Sequence, residues 1–148
     1  MSLAAPHLFR SAGSSPLQGQ QTVVERVIDG DTVVISGGEH LRYIGIDTPE
    51  LHHPTKPVQW YAREAAAFNR SLVEGKPVRL EFDVERRDKY GRLLAYIYLE
   101  DGTFVNAELV RQGYAHLLTI PPNVKYAHLF IACQKEARNA ARGLWATR

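Results

Sequence analysis

Little in this chain points to covalent bracing or to lipid. Its 148 residues contain one cysteine, Cys133, so no internal disulfide can form. Cys133 falls in an apolar helical pattern, which makes it a small core residue rather than a nucleophile. No apolar run approaches the roughly 20 residues that cross a bilayer, so a transmembrane helix is excluded and no membrane partner is expected. Residues 1–21 are rich in Ser, Gly, Pro and Gln and lack a basic stretch followed by an apolar one. They are not an intact secretory signal and read as a flexible N-terminal arm. There is no internal repeat, and no charge of one sign dominates. The formal net charge is +2 and the pI about 8.8, which fits an anionic partner without identifying one. At 45% hydrophobic and 23% charged, the composition is that of a globular protein, so disorder of the bulk is excluded. The length suits one domain with a real core, taken as residues 22–146.

What the chain does have is a series of β-rich segments punctuated by turn signals. Residues 22–28, 32–36 and 41–46 are β-branched runs that end at Asp29-Gly30, Gly37-Gly38 and Asp47-Thr48-Pro49, which predicts a meander. Residues 51–57 hold His52, His53, Pro54 and Pro57 with no period, and read as a loop. From residue 60 to 73, Tyr61, Ala65, Phe68 and Leu72 recur at helical steps, and Gly75 supplies a stop. Residues 77–84 alternate: Val78, Leu80, Phe82 and Val84 share one face, Arg79, Glu81 and Asp83 the other. A charged loop over 86–92 precedes a strand at 93–99. Helices follow over about 105–112 and 125–141, ended by Gly113 and Gly143. Five strands with a helix between the third and fourth is the order of an OB-fold barrel, here with three helices in all. The expected class is therefore a β-barrel with helices.

The densest chemistry lies at the strand ends. Ile28-Asp29-Gly30-Asp31-Thr32 is answered by Ile46-Asp47-Thr48-Pro49-Glu50, with Arg42 between them. Bare carboxylates gathered closely repel, and one would be driven to protonate. A hard divalent cation removes the conflict, because calcium takes its ligands from Asp, Glu and backbone oxygens. An Arg beside the cation adds a planar fork of donors suited to phosphate. Cation, spare carboxylate and phosphate-reading Arg are the parts needed to hydrolyse a phosphodiester. For Asp31 or Asp47 alone, capping a turn is the plainer reading; the pair, with Glu50 and Arg42, favours the metal.

Four segments carry a resemblance. Val27-Ile28-Asp29-Gly30-Asp31-Thr32, Ile46-Asp47-Thr48-Pro49-Glu50, Asp88-Lys89-Tyr90-Gly91-Arg92-Leu93-Leu94-Ala95-Tyr96-Ile97 and Asn106-Ala107-Glu108-Leu109-Val110-Arg111-Gln112-Gly113 resemble the staphylococcal nuclease family, in the right order and on the right predicted elements. The likeness runs over residues 22–145. It implies an OB-fold barrel with three helices and a calcium-dependent endonuclease. Such an enzyme cuts DNA and RNA with little sequence preference and leaves 5′-hydroxyl and 3′-phosphate ends.

The same resemblance implies roles. Asp31, Asp47 and the Thr48 carbonyl match the calcium ligands. Glu50 matches the residue that orients or deprotonates the attacking water, and which of the two it does stays open. Arg42 and Arg92 match the two phosphate-contacting arginines, while Lys89 and Tyr90 match residues that hold a terminal phosphate and Lys56 a loop lysine near the substrate. Asp29 matches an acid close to the calcium that does not touch it. His52 and His53 next to Asp47 suggest a transition-metal site, but His53-Pro54 fits a family pattern without a metal role. One departure stands out: the family stacks two tyrosines on the nucleotide base, and the corresponding segment here, residues 117–123, has no aromatic.

A non-catalytic nucleic-acid- or protein-binding module on the same barrel is the competing reading. An OB-fold that binds sugars or single strands without cutting is a third, and it needs no cation site. Retention of Asp31, Arg42, Asp47, Glu50 and Arg92 together favours the enzyme. DNA and RNA are then the partners, the protein a monomer, and its place outside the cytoplasm, secreted or periplasmic.

Overall fold

Runs of β-branched residues and the alternation near residue 80 do what a two-residue period dictates: they form strands with one face turned inward. The computed structural model describes residues 19–147. In chain order the elements are β1 (Gly19–Asp29), β2 (Thr32–Ile35), β3 (Glu39–Tyr43), β4 (Ile46–Asp47), α1 (Ala62–Val73), β5 (Pro77–Glu81), β6 (Leu93–Leu99), α2 (Val105–Arg111), β7 (His116–Leu117), α3 (Ala127–Asn139) and a 3-10 turn at Gly143–Trp145. Strands β1, β2, β3, β6 and β5 close a barrel in that spatial order, while β4 and β7 make a separate two-stranded ribbon.

The barrel closes because β1 serves two neighbours. Its C-terminal half pairs antiparallel with β2, from Val24↔Ile35 to Asp29↔Thr32, and its N-terminal half pairs with β5, from Gly19↔Glu81 to Val23↔Pro77. Two register shifts on the β2 side bend the strand between these duties. On the far side β3 lies parallel to β6 (Leu41↔Leu93, Tyr43↔Ala95), the pairing that a helical crossover permits. This is the OB-fold, with α1 inserted between the third and fourth barrel strands.

Several boundaries differ from the sequence expectation, each for a physical reason. Of the arm expected over 1–21, residues 1–18 lie outside the described residues, whereas Gly19–Gln21 belong to β1, held by a ladder to residues 79–81 of β5 that no local propensity announces. The strand expected over 41–46 is cut at Gly45, whose φ of 84° turns the chain into β4. The helix expected from residue 60 starts at Ala62, because Tyr61 is left-handed (φ 71°). The strand expected over 77–84 stops at Glu81, leaving Val84 69% exposed. Glu81, placed outside by its alternation, is only 2% exposed. It accepts hydrogen bonds from the Tyr98 hydroxyl (3.0 Å) and the Tyr126 hydroxyl (2.8 Å) and pairs with the Lys125 ammonium. A buried carboxylate persists only with such partners, and two of them come from beyond residue 120, where no strand period could foretell them.

The core fills the barrel and continues under α2 and α3. Val24, Val33, Leu41, Leu80 and Ile97 are fully buried, and Tyr98 stacks on Phe104 with ring centres 4.6 Å apart. Cys133 is buried in α3, and burial pushes its thiol up to about 11, so it stays protonated at neutral pH. Among the described residues no helix is long and apolar enough to cross a membrane. Asn106 in α2 is fully buried and acts as a staple. Its Oδ1 accepts from the Ile97 N–H and its Nδ2 donates to the Ile44 carbonyl, both at 2.9 Å, tying β6 to the turn that leads into β4.

Gly45 is where backbone freedom and close approach coincide. A Cβ there would fall 2.3 Å from Cε2 of Phe130, on top of the positive φ. Gly45→Ala is expected to cost at least about 2 kcal/mol in urea unfolding. Gly37→Ala, at φ 91° with nothing within 4 Å, should cost only about 1 kcal/mol. Equal losses would mean that strain alone, not packing on Phe130, governs Gly45.

Candidate active site

The turn between β1 and β2 carries Asp29, Gly30 and Asp31, and it can pack because residue 30 has no side chain. A Cβ on Gly30 would come within 2.8 Å of the Ala65 Cβ and 2.9 Å of the Thr48 Cβ. Helix α1 buries small residues (Ala62, Ala65, Ala66) at helical steps, so it approaches closely, and its Asn69 donates to the Asp29 carbonyl at 3.0 Å. Asp31 ends up only 5% exposed. Its Oδ1 accepts from the Thr32 hydroxyl (2.9 Å), its Oδ2 accepts from the Thr48 N–H (2.9 Å), and Nη2 of Arg42 stands 3.3 Å from Oδ2.

Arg42 reaches this point from β3, directly across from Thr32. Its Nη1 donates to the carbonyls of Tyr43 and Ile46, both at 2.9 Å, and its Nη2 donates to Oδ1 of Asp47 at 3.2 Å. One guanidinium nitrogen therefore faces both Asp31 and Asp47, and the same fork fixes the turn between β3 and β4. Burial pushes the Asp47 carboxyl up, and the charge of Asp31 adds to it; Arg42 only partly offsets this. Asp29 is likewise pushed up by burial, against the opposing effect of a hydrogen bond from the Leu51 N–H at 3.0 Å. Both groups are better tolerated neutral than charged in the fold. The penalty they impose is absent below the ordinary carboxyl value of 3.8 and fully present above the raised one.

The donor set fits a hard cation. Asp31 and Asp47 offer carboxylate oxygens to one positive group, and Thr48, between Asp47 and Glu50, is held by its N–H on Asp31 with its carbonyl as a further oxygen. Among the described residues no group of three or more His, Cys, Asp or Glu is placed to hold a metal. His53 instead turns its Nδ1 to accept from the Thr55 N–H at 3.1 Å within its own loop. Glu50 is exposed at the start of that loop; its N–H donates to Oε1 of Gln59 at 2.7 Å. Lys56 is exposed further along the same loop.

A cleft of about 710 Å³ opens beside Arg42, lined by Lys89, Tyr90, Arg92, Leu118 and Ile120. Arg92 is held by Asp88, which accepts from its backbone N–H (3.0 Å) and from its Nε (2.8 Å). Tyr90 stands 72% exposed, with the Lys89 ammonium 5.3 Å and the Arg92 guanidinium 5.4 Å from its ring centre. Opposite, the segment without aromatics presents Leu118 and Ile120 as an aliphatic wall, anchored by the Leu118 N–H on the Gly45 carbonyl (2.8 Å). The fold thus gathers Asp31, Arg42, Asp47 and Thr48 at one point and Lys89, Tyr90 and Arg92 along the cleft. Sequence reasoning missed Asp88, Arg87 and Gln59. Arg87 lines the cleft while donating to Glu39 (2.5 Å) and to the Gly91 carbonyl (2.8 Å). The spacing of Asp88 before Tyr90-Gly91-Arg92 was the available signal, since Asp favours capping the turn that follows it.

The chain is similar to known proteins over most of its length. Residues 40–147 match the family described as Staphylococcal nuclease homologue. The chain is 43% identical to the thermonuclease of Staphylococcus intermedius over 135 residues, covering 89% of this chain and 80% of the relative. It is 40% identical to the thermonuclease of Staphylococcus hyicus over 140 residues, covering 93% and 82%. It is also 39% identical over 145 residues to Endonuclease YncB of Bacillus subtilis (strain 168), covering 92% and 68%.

A bound dication would neutralise the acids whose ionised forms the fold tolerates poorly. Calcium is therefore expected to raise the thermal midpoint more at pH 7 than at pH 4, because binding requires the charged carboxylates. Calorimetry at both pH values, with and without the ion, checks this; an equal rise at both would place the ion elsewhere.

Proposed function

This chain belongs to the staphylococcal nuclease family and is a nuclease acting on nucleic acid, and from that premise we propose that it is a calcium-dependent endonuclease. It hydrolyses DNA and RNA alike with little sequence preference and leaves 5′-hydroxyl and 3′-phosphate ends. The observation that carries this reading is Nη2 of Arg42 facing Asp31 at 3.3 Å and Asp47 at 3.2 Å, at the mouth of a cleft that also holds Arg92.

Asp31, Asp47 and the Thr48 carbonyl would hold the ion. When bound, calcium supplies charge neutralisation for the acids and Lewis-acid polarisation of the phosphate. Arg42, with Nη1 fixed on the Tyr43 and Ile46 carbonyls, turns Nη2 to a non-bridging phosphate oxygen, and Arg92, oriented by Asp88, offers another donor. These donors are worth most as negative charge builds on those oxygens. Glu50, exposed and two residues after Thr48, orients a water for attack in line with the bond to the 5′ oxygen. The water oxygen bonds to phosphorus and gives up a proton, the bond to the 5′ oxygen breaks, and that oxygen takes up a proton from solvent, so that water is divided between the two ends. Lys89 and Tyr90 hold the neighbouring phosphate and Lys56 steers the strand, so they act on affinity and salt dependence. The Tyr90 ring and the Leu118–Ile120 wall present apolar faces that any base satisfies, which favours low sequence preference.

Purified protein is expected to nick plasmid DNA and degrade RNA in calcium, and to stop in a calcium chelator. Arg92→Ala and Glu50→Ala are each expected to lower kcat by about two to three decades, equivalent to roughly 3–4 kcal/mol, with KM little changed. Cutting that persists in chelator would overturn the calcium reading. Products with 5′-phosphate ends, read by end-labelling, would overturn the assigned direction of cleavage.

A further inference from the structure

We propose that Gln59 is the positioning residue for Glu50, fixing the carboxylate-bearing residue from the far end of its loop. This rests on the reading of Glu50 as the group that orients water. Glu50 opens an exposed, irregular loop containing Pro54 and Pro57, and such a loop has no regular ladder to set the direction of its first residue. Gln59 supplies one from outside. Its side-chain Oε1 accepts from the Glu50 N–H at 2.7 Å, and its own backbone N–H donates to the Glu50 carbonyl at 3.1 Å. On the next peptide, the Leu51 N–H donates to Asp29 at 3.0 Å. The backbone on both sides of the Glu50 Cα is thereby tied, which leaves its side-chain torsions as the remaining freedom.

Gln59 can hold Glu50 because it is itself held. Its carbonyl accepts from the Ala62 N–H at 3.1 Å at the head of α1. Two residues on, Tyr61 adopts φ 71°, a left-handed conformation that a non-glycine residue keeps only where its surroundings enforce it. The enforcement is visible. The Tyr61 ring lies 5.6 Å from that of Tyr114, which lies 4.3 Å from Phe68, and Gly143 leaves room for the Tyr61 edge, since a Cβ there would sit 3.1 Å from Cε2. An aromatic stack on α1 and the segment after α2 therefore sets the chain direction at Gln59, and Gln59 transmits it to Glu50. The loop is closed at its neck by one amide side chain, the arrangement of a compact loop whose ends meet.

Gln59→Leu removes the acceptor and keeps the bulk; Gln59→Glu keeps an acceptor oxygen. With plasmid or RNA in calcium, Gln59→Leu is expected to lower kcat about tenfold, with KM within about twofold and an unchanged thermal midpoint, because the lost hydrogen bond is exposed. Gln59→Glu should recover most of that loss. In a Glu50→Ala background, Gln59→Leu should have no further effect, since the two changes act on one group. Wild-type kcat in Gln59→Leu, or a further tenfold loss in the Glu50→Ala background, would overturn the inference while leaving the nuclease reading intact. Absence of calcium-dependent cutting by the wild-type protein would overturn both, and the two failures are told apart by that control.

Discussion

The contact of one guanidinium with two acids governs how everything around it is arranged. Arg42 stands between Asp31 and Asp47 while its other terminal nitrogen holds the carbonyls of Tyr43 and Ile46. Like charges brought that close from separate strands need a counter-charge in place before any ligand arrives. Arg42 provides it and also closes the turn into β4. The barrel supports this from below: Thr32 and Arg42 are register partners, and Asn106 pins the Ile44 carbonyl from α2. Of the site residues Arg42 and Asp47 lie on strands, whereas Asp31, Thr48, Glu50 and Arg92 lie in the turns and loops that the strands hold.

Placing acids in such a setting works against stability. Burial raises the carboxyls of Asp29 and Asp47, so the folded chain carries a penalty whenever they are charged. Glu81 shows the other way to bury an acid. It is surrounded by Tyr98, Tyr126 and Lys125, closed off from solvent, and serves the fold alone. The contrast separates a carboxylate met by two hydroxyls and an ammonium from carboxylates whose burial their partners offset only in part.

What the sequence disclosed tracks how local its physics is. The β-branched run of β2, the apolar and aromatic run of β6 and the alternation of β5 mark strands, and the apolar steps of α1 mark a helix, so these elements were legible. The start of β1 at Gly19, the β4–β7 ribbon and the burial of Glu81 depend on partners far away in sequence, and nothing nearby signals them. The left-handed Tyr61 likewise reflects stacking on Tyr114, a tertiary contact that overrides local preference. At the site, the convergence of Asp31, Arg42 and Asp47 could be argued because acids that dense demand a cation. Asp88 was signalled only by its place before a turn, and Gln59 not at all, because its hydrogen bond to the Glu50 backbone, nine residues away, depends on how the loop closes.

The β4–β7 ribbon joins two places that would otherwise be separate. It pairs Asp47 with His116 and Ile46 with Leu117, and the next residue, Leu118, bonds to Gly45 and walls the cleft. If a base rests on Leu118 while an ion rests on Asp47, both bear on one ribbon, and thermodynamic reciprocity then requires that each tighten the other by the same factor.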